Sequence, residues 1–409
     1  MRYKNFFFML FAAFISLFAQ AVLANPVIPI SGSSTVTTPV FTPPTPNINA
    51  NGYILIDANS GQTISEKNAD SRLAPASLTK LMSLYIISNA IKSGAVRWDD
   101  KVRISPRAWK AEGSRMFVKV NDEVTVRDLV QGVAIASGND ATIALAEYIG
   151  SSEDSFADMM NNQAKLLGMQ NSHFTDSSGL PNPDHFSSPR DLAMLAKHYI
   201  KNFPEDYHLF SEKWLNYSGI RQANRNRLLW RYPYADGLKT GHTKDAGFCL
   251  VASANKDGMR LISVLMGAPS DQSRTEDSIR LLNYGFRFYQ TAKLYSGNEA
   301  IGDVRVWKGN KKQIPVGLAE DFYITTQVSQ GKAPQTSLVV DGPVKAPVVK
   351  GQTLGTLNVI ANKQIIASRP LVALEDDPKG GIWRRTMDSL GYAIQKIFSR
   401  TNNETIDNA

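Results

Sequence analysis

Three short words in this chain carry side chains suited to acyl transfer: Ser77-Leu78-Thr79-Lys80, Ser137-Gly138-Asn139 and Lys239-Thr240-Gly241. Ser77 offers a nucleophilic hydroxyl, and Lys80 an amine able to take its proton. Ser137 and Asn139 add a second hydroxyl and an amide, while Lys239 and Thr240 form a cationic strand edge that can hold a carboxylate or a carbonyl. A serine site with no histidine base needs this inventory, and the set matches a motif combination already described for such sites.

Each word alone is weak. Ser-x-x-Lys recurs at Ser253–Lys256 and Ser329–Lys332, Ser-x-Asn at Ser253–Asn255 and Ser296–Asn298, and Lys92-Ser93-Gly94 is a second Lys-Ser/Thr-Gly. Chain order and local structure select among them. Ser77 follows Leu73-Ala74-Pro75-Ala76 and opens a helical pattern through Leu81, Leu84, Tyr85 and Ile87. Proline favours a helix start, so the hydroxyl is expected in the first turn, where the helix dipole favours developing negative charge. Lys80 lies one turn on, close enough to interact. It acts as a base only if its pKa falls toward neutrality; burial and a nearby cation do this, with Lys239 the candidate cation. Taken alone, this word also reads as an ordinary helix-start serine beside a surface lysine.

The second word joins two apolar helical stretches, Leu129–Ile135 and Ala141–Ile149, and can project its side chains into a cleft; a plain helix connection reads equally well. The third follows an expected turn at Asp236-Gly237 and leads into Gly247–Ala254, which places it on a strand able to pair with an extended peptide. Gly241 is expected to keep that edge open for substrate. Lys92-Ser93-Gly94 follows a helical pattern and reads as a C-terminal cap instead.

Strand candidates at Tyr53–Asp57 and Thr63–Ser65 precede expected helices at 127–135, 140–149, 152–167 and 189–201. Gly247–Ala254 and Met259–Met266 flank a hairpin turn at Asn255-Lys256-Asp257-Gly258. Residues 48–289 therefore read as one α/β domain with a mainly antiparallel sheet and a helical cluster. Beyond about 290 come seven short strand candidates: Asp303–Trp307, Gln313–Val316, Phe322–Thr326, Ser337–Val340, Gly355–Ile360, Ile365–Ala367 and Leu371–Leu374. They suggest a small all-β sandwich over residues 290–376. Residues 377–409 read as a basic amphipathic helix with a polar tail: Trp383, Met387, Leu390, Ile394, Ile397 and Phe398 share one face, bordered by Arg384, Arg385, Lys396 and Arg400. Such a helix suits a membrane interface, with docking on the β domain as the competing reading.

The start of the chain carries Arg2 and Lys4 before an apolar run from Phe6 to Phe18, then Val22-Leu23-Ala24 with small residues at a cleavage site. Residues 1–24 are expected to be a signal peptide, since the run is shorter than the about 20 residues a span needs. Residues 25–47, rich in Pro, Ser and Thr, read as a linker. The 409 residues, 43% hydrophobic and 20% charged, suit two or three globular domains. The formal charge of +8 falls by the two cations of Arg2 and Lys4 to +6, a mild excess that suits an anionic envelope surface. Nucleic acid is not an expected partner, because no basic-aromatic cluster occurs. Cys249 is the single cysteine, so no internal disulfide can form; it reads as a buried, inert residue.

With the flanking words Asp236–Thr243, Ser137–Ala141 and Ser187-Ser188-Pro189-Arg190-Asp191, the chain resembles the low-molecular-mass penicillin-binding proteins, serine-type D-alanyl-D-alanine carboxypeptidases of the type-5 subgroup. The resemblance spans nearly the whole chain. It implies a penicillin-binding/β-lactamase-like transpeptidase fold, Ser77 as acylated nucleophile and Lys80 as general base. It makes Ser137 and Asn139 proton carriers and holders of the substrate amide, with Lys239 as electrostatic support. Thr240, Gly241 and His242 would bind substrate, the N–H groups of Ser77 and His242 forming the oxyanion hole. Arg225 and Arg274 are implied carboxylate ligands, with surface arginines as the alternative. The implied partners are peptidoglycan stem peptides ending in D-Ala-D-Ala, β-lactams as inhibitors, and the periplasmic face of a bacterial inner membrane.

No metal or organic cofactor is required on this reading. The five histidines are scattered with no His-Glu-x-x-His, and no Gly-x-Ser-x-Gly word occurs. Ser178 stands where the subgroup often has His, which bears on turnover. Three alternatives remain at this level: a D,D-endopeptidase, a class A-like β-lactamase, although its Glu-x-x-Leu-Asn word is absent, and a non-catalytic envelope-binding protein.

Overall fold

A computed structural model describes residues 43–330, 334–361 and 363–389. The expected signal peptide, most of the expected linker and Leu390, Ile394, Lys396, Ile397, Phe398 and Arg400 of the expected terminal helix lie outside these residues. The first part is built on strands β1 (Gly52–Asp57), β2 (Thr63–Lys67), β3 (Ala235–Thr243), β4 (Gly247–Lys256) and β5 (Met259–Ala268). They form one antiparallel sheet in the order β2-β1-β5-β4-β3. The inner strands are mostly apolar and buried along their middles because both faces are covered. Alternate residues divide between two cores: Ile54, Cys249, Val251 and Val264 face the helical cluster, and Leu55, Leu250, Ala252 and Leu265 face the opposite layer.

The helical layer comprises α1 (Lys80–Lys92), α2 (Val126–Gln131), α3 (Asn139–Gly150), α4 (Glu153–Leu167) and α5 (Pro189–Asn202), while α6 (Asp271–Phe288) covers the other face. Helix α1 is buried from Lys80 through Ser88, which makes it the central strut of the layer. Local signals set the starts: Ser152 accepts from Ser155 N ahead of α4, Ser188 accepts from Asp191 N ahead of α5 with Pro189 next, and Ser270 accepts from Ser273 N ahead of α6. At Lys92-Ser93-Gly94 the helix ends with Ser93 as cap and Gly94 at φ 77°, the terminator expected there.

Two local expectations change. Asp236-Gly237 is not a turn but part of β3, with a register shift between Ala235 and Gly237 opposite β4. The bulge frees the Asp236 carboxylate to pair with Arg260 at 2.7 Å, while Asn226 Nδ2 donates to the Gly237 carbonyl at 3.0 Å. The strands after α6 also differ. They are β6 (Tyr289–Tyr295), β7 (Ala300–Trp307), β8 (Gln313–Gly317), β9 (Phe322–Gln327), β10 (Gln335–Val340), β11 (Val344–Lys345), β12 (Thr353–Ala361) and β13 (Gln364–Ala373). Strands β6 and β11 escape the sequence reading, and the two runs Ile365–Ala367 and Leu371–Leu374 form the single strand β13. Pro370 is tolerated inside it because only β12 pairs there; β8 joins at Val372 and Ala373.

The six-stranded sheet has the order β10-β12-β13-β8-β7-β11, and β6 pairs with β9 separately. Phe322 and Ile324 of β9 pack on Leu357 and Val359 of β12, closing a core between the two sheets. This β-rich part is tied to the first: Thr291 Oγ1 donates to Asp57 Oδ2 at 2.7 Å, and Lys201 pairs with Glu320 at 2.8 Å.

Candidate active site

The first word begins as a short 3₁₀ turn, Ala76–Thr79, running directly into α1. Ser77 is therefore in the first turn, and Lys80 at the start of the α-helix is fully buried. Lys80 Nζ donates to Ser77 Oγ at 2.9 Å and to the Ser178 carbonyl at 2.8 Å. Burial is the main influence on this amine and brings its pKa down to about 7; Arg225 pushes the same way, while Asp176, Asp140 and Glu153 oppose it. The sequence reading assigned the depressing cation to Lys239. The structure puts burial first, with Arg225 the neighbouring cation.

Between α2 and α3 the chain forms a π-helical turn, Gly132–Ala136, and then leaves helical geometry at Ser137, whose φ is 60°. Lys239 Nζ donates to Ser137 Oγ at 2.8 Å. Burial, then the amine of Lys80, Arg225 and Arg274, hold Lys239 well below the ordinary lysine value. Asn139 is anchored by its backbone N–H to the Ser114 carbonyl (2.7 Å) and by Nδ2 to the Glu112 carbonyl (2.6 Å). That assignment leaves Asn139 Oδ1 as a buried acceptor with no hydrogen-bond partner among the described residues.

Strand β3 passes beside the Ala76–Thr79 turn. A Cβ on Gly241 would fall 2.8 Å from the Pro75 carbonyl oxygen and 3.2 Å from Ser77 N. Gly241 is thus required less to keep an edge open than to let β3 approach the backbone carrying Ser77. Thr240 is buried at the cleft, and the exposed ring of His242 stacks on Phe248 with centroids 4.0 Å apart.

A cleft of about 700 Å³ joins these parts. Ser77, Ser137, Thr240, Gly241, His242, Arg225 and Arg274 all line it; Lys80, Asn139 and Lys239 stand behind it. Arg274 is no surface arginine: it is buried, donating from Nη1 to the carbonyls of Gly241 (2.9 Å) and Cys249 (3.1 Å) and pairing with Asp271. Arg225 is exposed to the cleft, with Nε 3.3 Å from the Ala136 carbonyl. Cys249 is buried behind β3, where burial pushes its thiol up to about 11.

Several residues escaped the sequence reading. Ser114 lines the cleft. Asp140 braces the loop opposite by accepting from the N–H groups of Met116, Phe117 and Val118 at 2.9, 2.8 and 3.3 Å. Gly179 and His185 lie against the Ala76–Thr79 turn, and Asp176 against Ser178, Gly179 and His185; the sequence reading noted this segment only at Ser178, its Asp-Ser-Ser-Gly composition being that of a turn.

With this geometry in place, comparison with known proteins is decisive. The sequence model of the family described as D-alanyl-D-alanine carboxypeptidase matches residues 39–270. The chain belongs to this family. A second model, the C-terminal domain of penicillin-binding protein 5, matches residues 289–379, the β-rich part. The D-alanyl-D-alanine carboxypeptidase DacC of Escherichia coli is 41% identical over 361 residues, covering 86% of this chain and 90% of that protein. Penicillin-binding protein 5 from Haemophilus influenzae superposes with a TM-score of 0.79 at 39% identity, covering 83% of this chain and 100% of the other. An ampicillin-bound penicillin-binding protein from Listeria monocytogenes matches at a TM-score of 0.55 and 30% identity, covering 59% of this chain and all of the other. The fold is that of the penicillin-binding proteins, a mixed α/β part followed by a β-rich part.

Proposed function

We propose that this chain is a serine-type D-alanyl-D-alanine carboxypeptidase that removes the terminal D-Ala of peptidoglycan stem peptides through an acyl-enzyme on Ser77. The observation that carries the reading is the contact between Ser77 Oγ and Lys80 Nζ at 2.9 Å, made by a fully buried amine. In its neutral form Lys80 takes the Ser77 proton as Oγ attacks the penultimate D-Ala carbonyl. Ser137, joined to Lys239, gives its proton to the departing amine and is resupplied with the proton that Lys80 took; the C–N bond breaks and D-Ala leaves. Water then adds to the ester carbon while neutral Lys80 takes its proton, the C–Oγ bond breaks to release the shortened peptide, and Lys80 returns the proton to Ser77 Oγ.

The remaining groups hold the substrate. Asn139 Oδ1, an acceptor without a partner, is suited to a backbone N–H of the stem peptide. Backbone N–H groups of Ser77 and His242 stabilise the oxyanion, a role supported by the close approach of β3 to Ser77 N. The terminal carboxylate is met by Thr240 and Arg225. Arg274, committed to the carbonyls of Gly241 and Cys249, contributes charge and braces β3. A β-lactam presents an amide carbonyl and a carboxylate at comparable separation and acylates the same serine, in keeping with the ampicillin-bound relative. The test is D-alanine release from a synthetic pentapeptide ending in D-Ala-D-Ala. The intact chain releases it and the Ser77→Ala variant does not; equal release by both overturns the reading.

The same reading places the protein outside the cytoplasm, on the periplasmic face of the membrane. Support comes from the pattern of residues 1–24 and from the start of the terminal helix at 382–389, where Ile382, Trp383 and Met387 are 80%, 88% and 68% exposed. Arg385, exposed beside them, supplies charge for an anionic surface. Among the described residues no helix is long and apolar enough to cross a membrane. Deleting residues 381–409 is expected to move the protein to the soluble fraction with D-alanine release unchanged; retention of the truncated form in the membrane fraction contradicts the attachment.

A further inference from the structure

The segment Asp176–Gly179 belongs to none of the three words, yet it is the second contact of the Lys80 amine, through the Ser178 carbonyl at 2.8 Å. Its shape is set by one carboxylate. Asp176 Oδ1 accepts from Ser178 N and Gly179 N, both at 2.7 Å, and from Ser178 Oγ at 3.0 Å. The turn is fastened from both sides. His185 Nδ1 stands 3.2 Å from Asp176 Oδ2, 3.2 Å from Thr175 N and 3.1 Å from Thr175 Oγ1, and its Nε2 is 2.8 Å from the hydroxyl of Thr79, the residue before Lys80. The His185 ring is itself buried, edge-on to Phe174 at 5.7 Å. A chain of contacts therefore runs from Thr79 through His185, Asp176 and the Ser178 carbonyl back to Lys80, closing around the nucleophile turn.

We propose that Asp176 and His185 are positioning residues for acylation, locking the 176–179 turn onto the nucleophile turn so that the Ser178 carbonyl holds the Lys80 amine against Ser77. The proposal rests on the reading of Ser77 and Lys80 given above. Neither residue touches substrate: the 176–179 turn and His185 are absent from the cleft lining.

Two effects of Asp176 can be separated. Its geometry fixes the Ser178 carbonyl. Its charge biases Lys80 toward the protonated form, as Asp140 and Glu153 also do, against burial and Arg225. Burial disfavours ionised Asp176, but the His185 ring and the N–H groups of Ser178 and Gly179 outweigh this and keep it well below the usual carboxylate range, so it is charged throughout the working range. Acylation needs neutral Lys80, so its rate rises with pH through about 7 in the wild type.

The experiment is the pH dependence of acylation of the full chain by a fluorescent penicillin, with melting temperature measured in parallel and Ser77→Ala as control. Asp176→Asn keeps an acceptor for the turn but removes the charge; its acid limb is expected about half to one unit lower in pH, with the plateau within a few-fold of wild type. Asp176→Glu keeps the charge but misplaces the acceptor, so its limb stays in place while the plateau falls about tenfold. His185→Ala lowers the plateau by a comparable factor. An Asp176→Glu or His185→Ala plateau at the wild-type level overturns the proposal, as does a shifted Asp176→Glu limb; an Asp176→Asn limb that superimposes on wild type overturns the charge effect of Asp176. Should Asp176→Asn fail to fold, the limb and plateau of Asp176→Glu decide. Undiminished labelling of Ser77→Ala is a different failure, that of the nucleophile assignment itself.

Discussion

Lys80→Ala is expected to lower kcat/KM for D-alanine release by about 10³–10⁴-fold, a loss of about 4–5 kcal/mol of transition-state stabilisation. The amine is the hydrogen-bond partner of Ser77 Oγ, at 2.9 Å. Without it, the hydroxyl must attack as a neutral alcohol with no base in reach. Stability is expected to change little, because burying an amine is costly in itself and the substitution removes that cost together with two hydrogen bonds. Lys80→Arg is expected to be nearly as inactive: a guanidinium stays protonated and cannot accept the proton. Single-turnover acylation by a fluorescent penicillin measures both variants. A Lys80→Ala rate within tenfold of wild type would assign the base elsewhere.

The second large effect is structural and falls on Gly179. At φ 86° this residue occupies backbone space that side chains disfavour, and a Cβ there would sit 1.9 Å from the Ala76 carbonyl oxygen and 2.6 Å from Thr79 Oγ1. Neither neighbour can yield cheaply, since one is backbone and the other is held by His185. Gly179→Ala is expected to destabilise the catalytic part by about 2–4 kcal/mol, a drop of about 5–15 °C in melting temperature. Whatever folds should also acylate at least tenfold more slowly, because the displaced turn takes the Ser178 carbonyl away from Lys80. Calorimetry and the labelling rate check the two halves separately. A melting temperature within 2 °C of wild type, with normal labelling, contradicts the close contact.

How much of this was legible beforehand depends on the range of the physics involved. Ser77 and Lys80 are three residues apart and declare themselves through a helix start, and Lys239-Thr240-Gly241 through its place ahead of a strand hairpin. Helices α4 and α5 were readable because their burial follows the apolar period, whereas α1 and α3 are buried along most of their length. The β-rich part was read less well: β6 is half-exposed and lacks the alternation that marks a strand, and Pro370 hid the continuity of β13, which only its missing neighbour on one side permits. Asp236-Gly237 looks like a turn locally and becomes a bulge only because Arg260 and Asn226 draw on it from elsewhere.

The electrostatics were the least legible. The sequence shows that Lys239 is a cation but not that Lys80 is wholly buried, which is the larger influence on its proton affinity. Likewise Asp176 and His185 are separated by a proline-containing loop and carry no motif. Their significance exists only where the loop meets Thr79 and the Ser178 carbonyl meets Lys80.

The central claim is that Ser77 is the atom acylated, and mapping the adduct tests it directly. Intact protein is incubated with benzylpenicillin, quenched in acid, digested with trypsin and analysed by mass spectrometry. The penicilloyl group is expected on the peptide running from Leu73 to Lys80, and on no peptide of the Ser77→Ala protein. An adduct that persists in Ser77→Ala at wild-type yield, or that maps to the peptide containing Ser137, would contradict it.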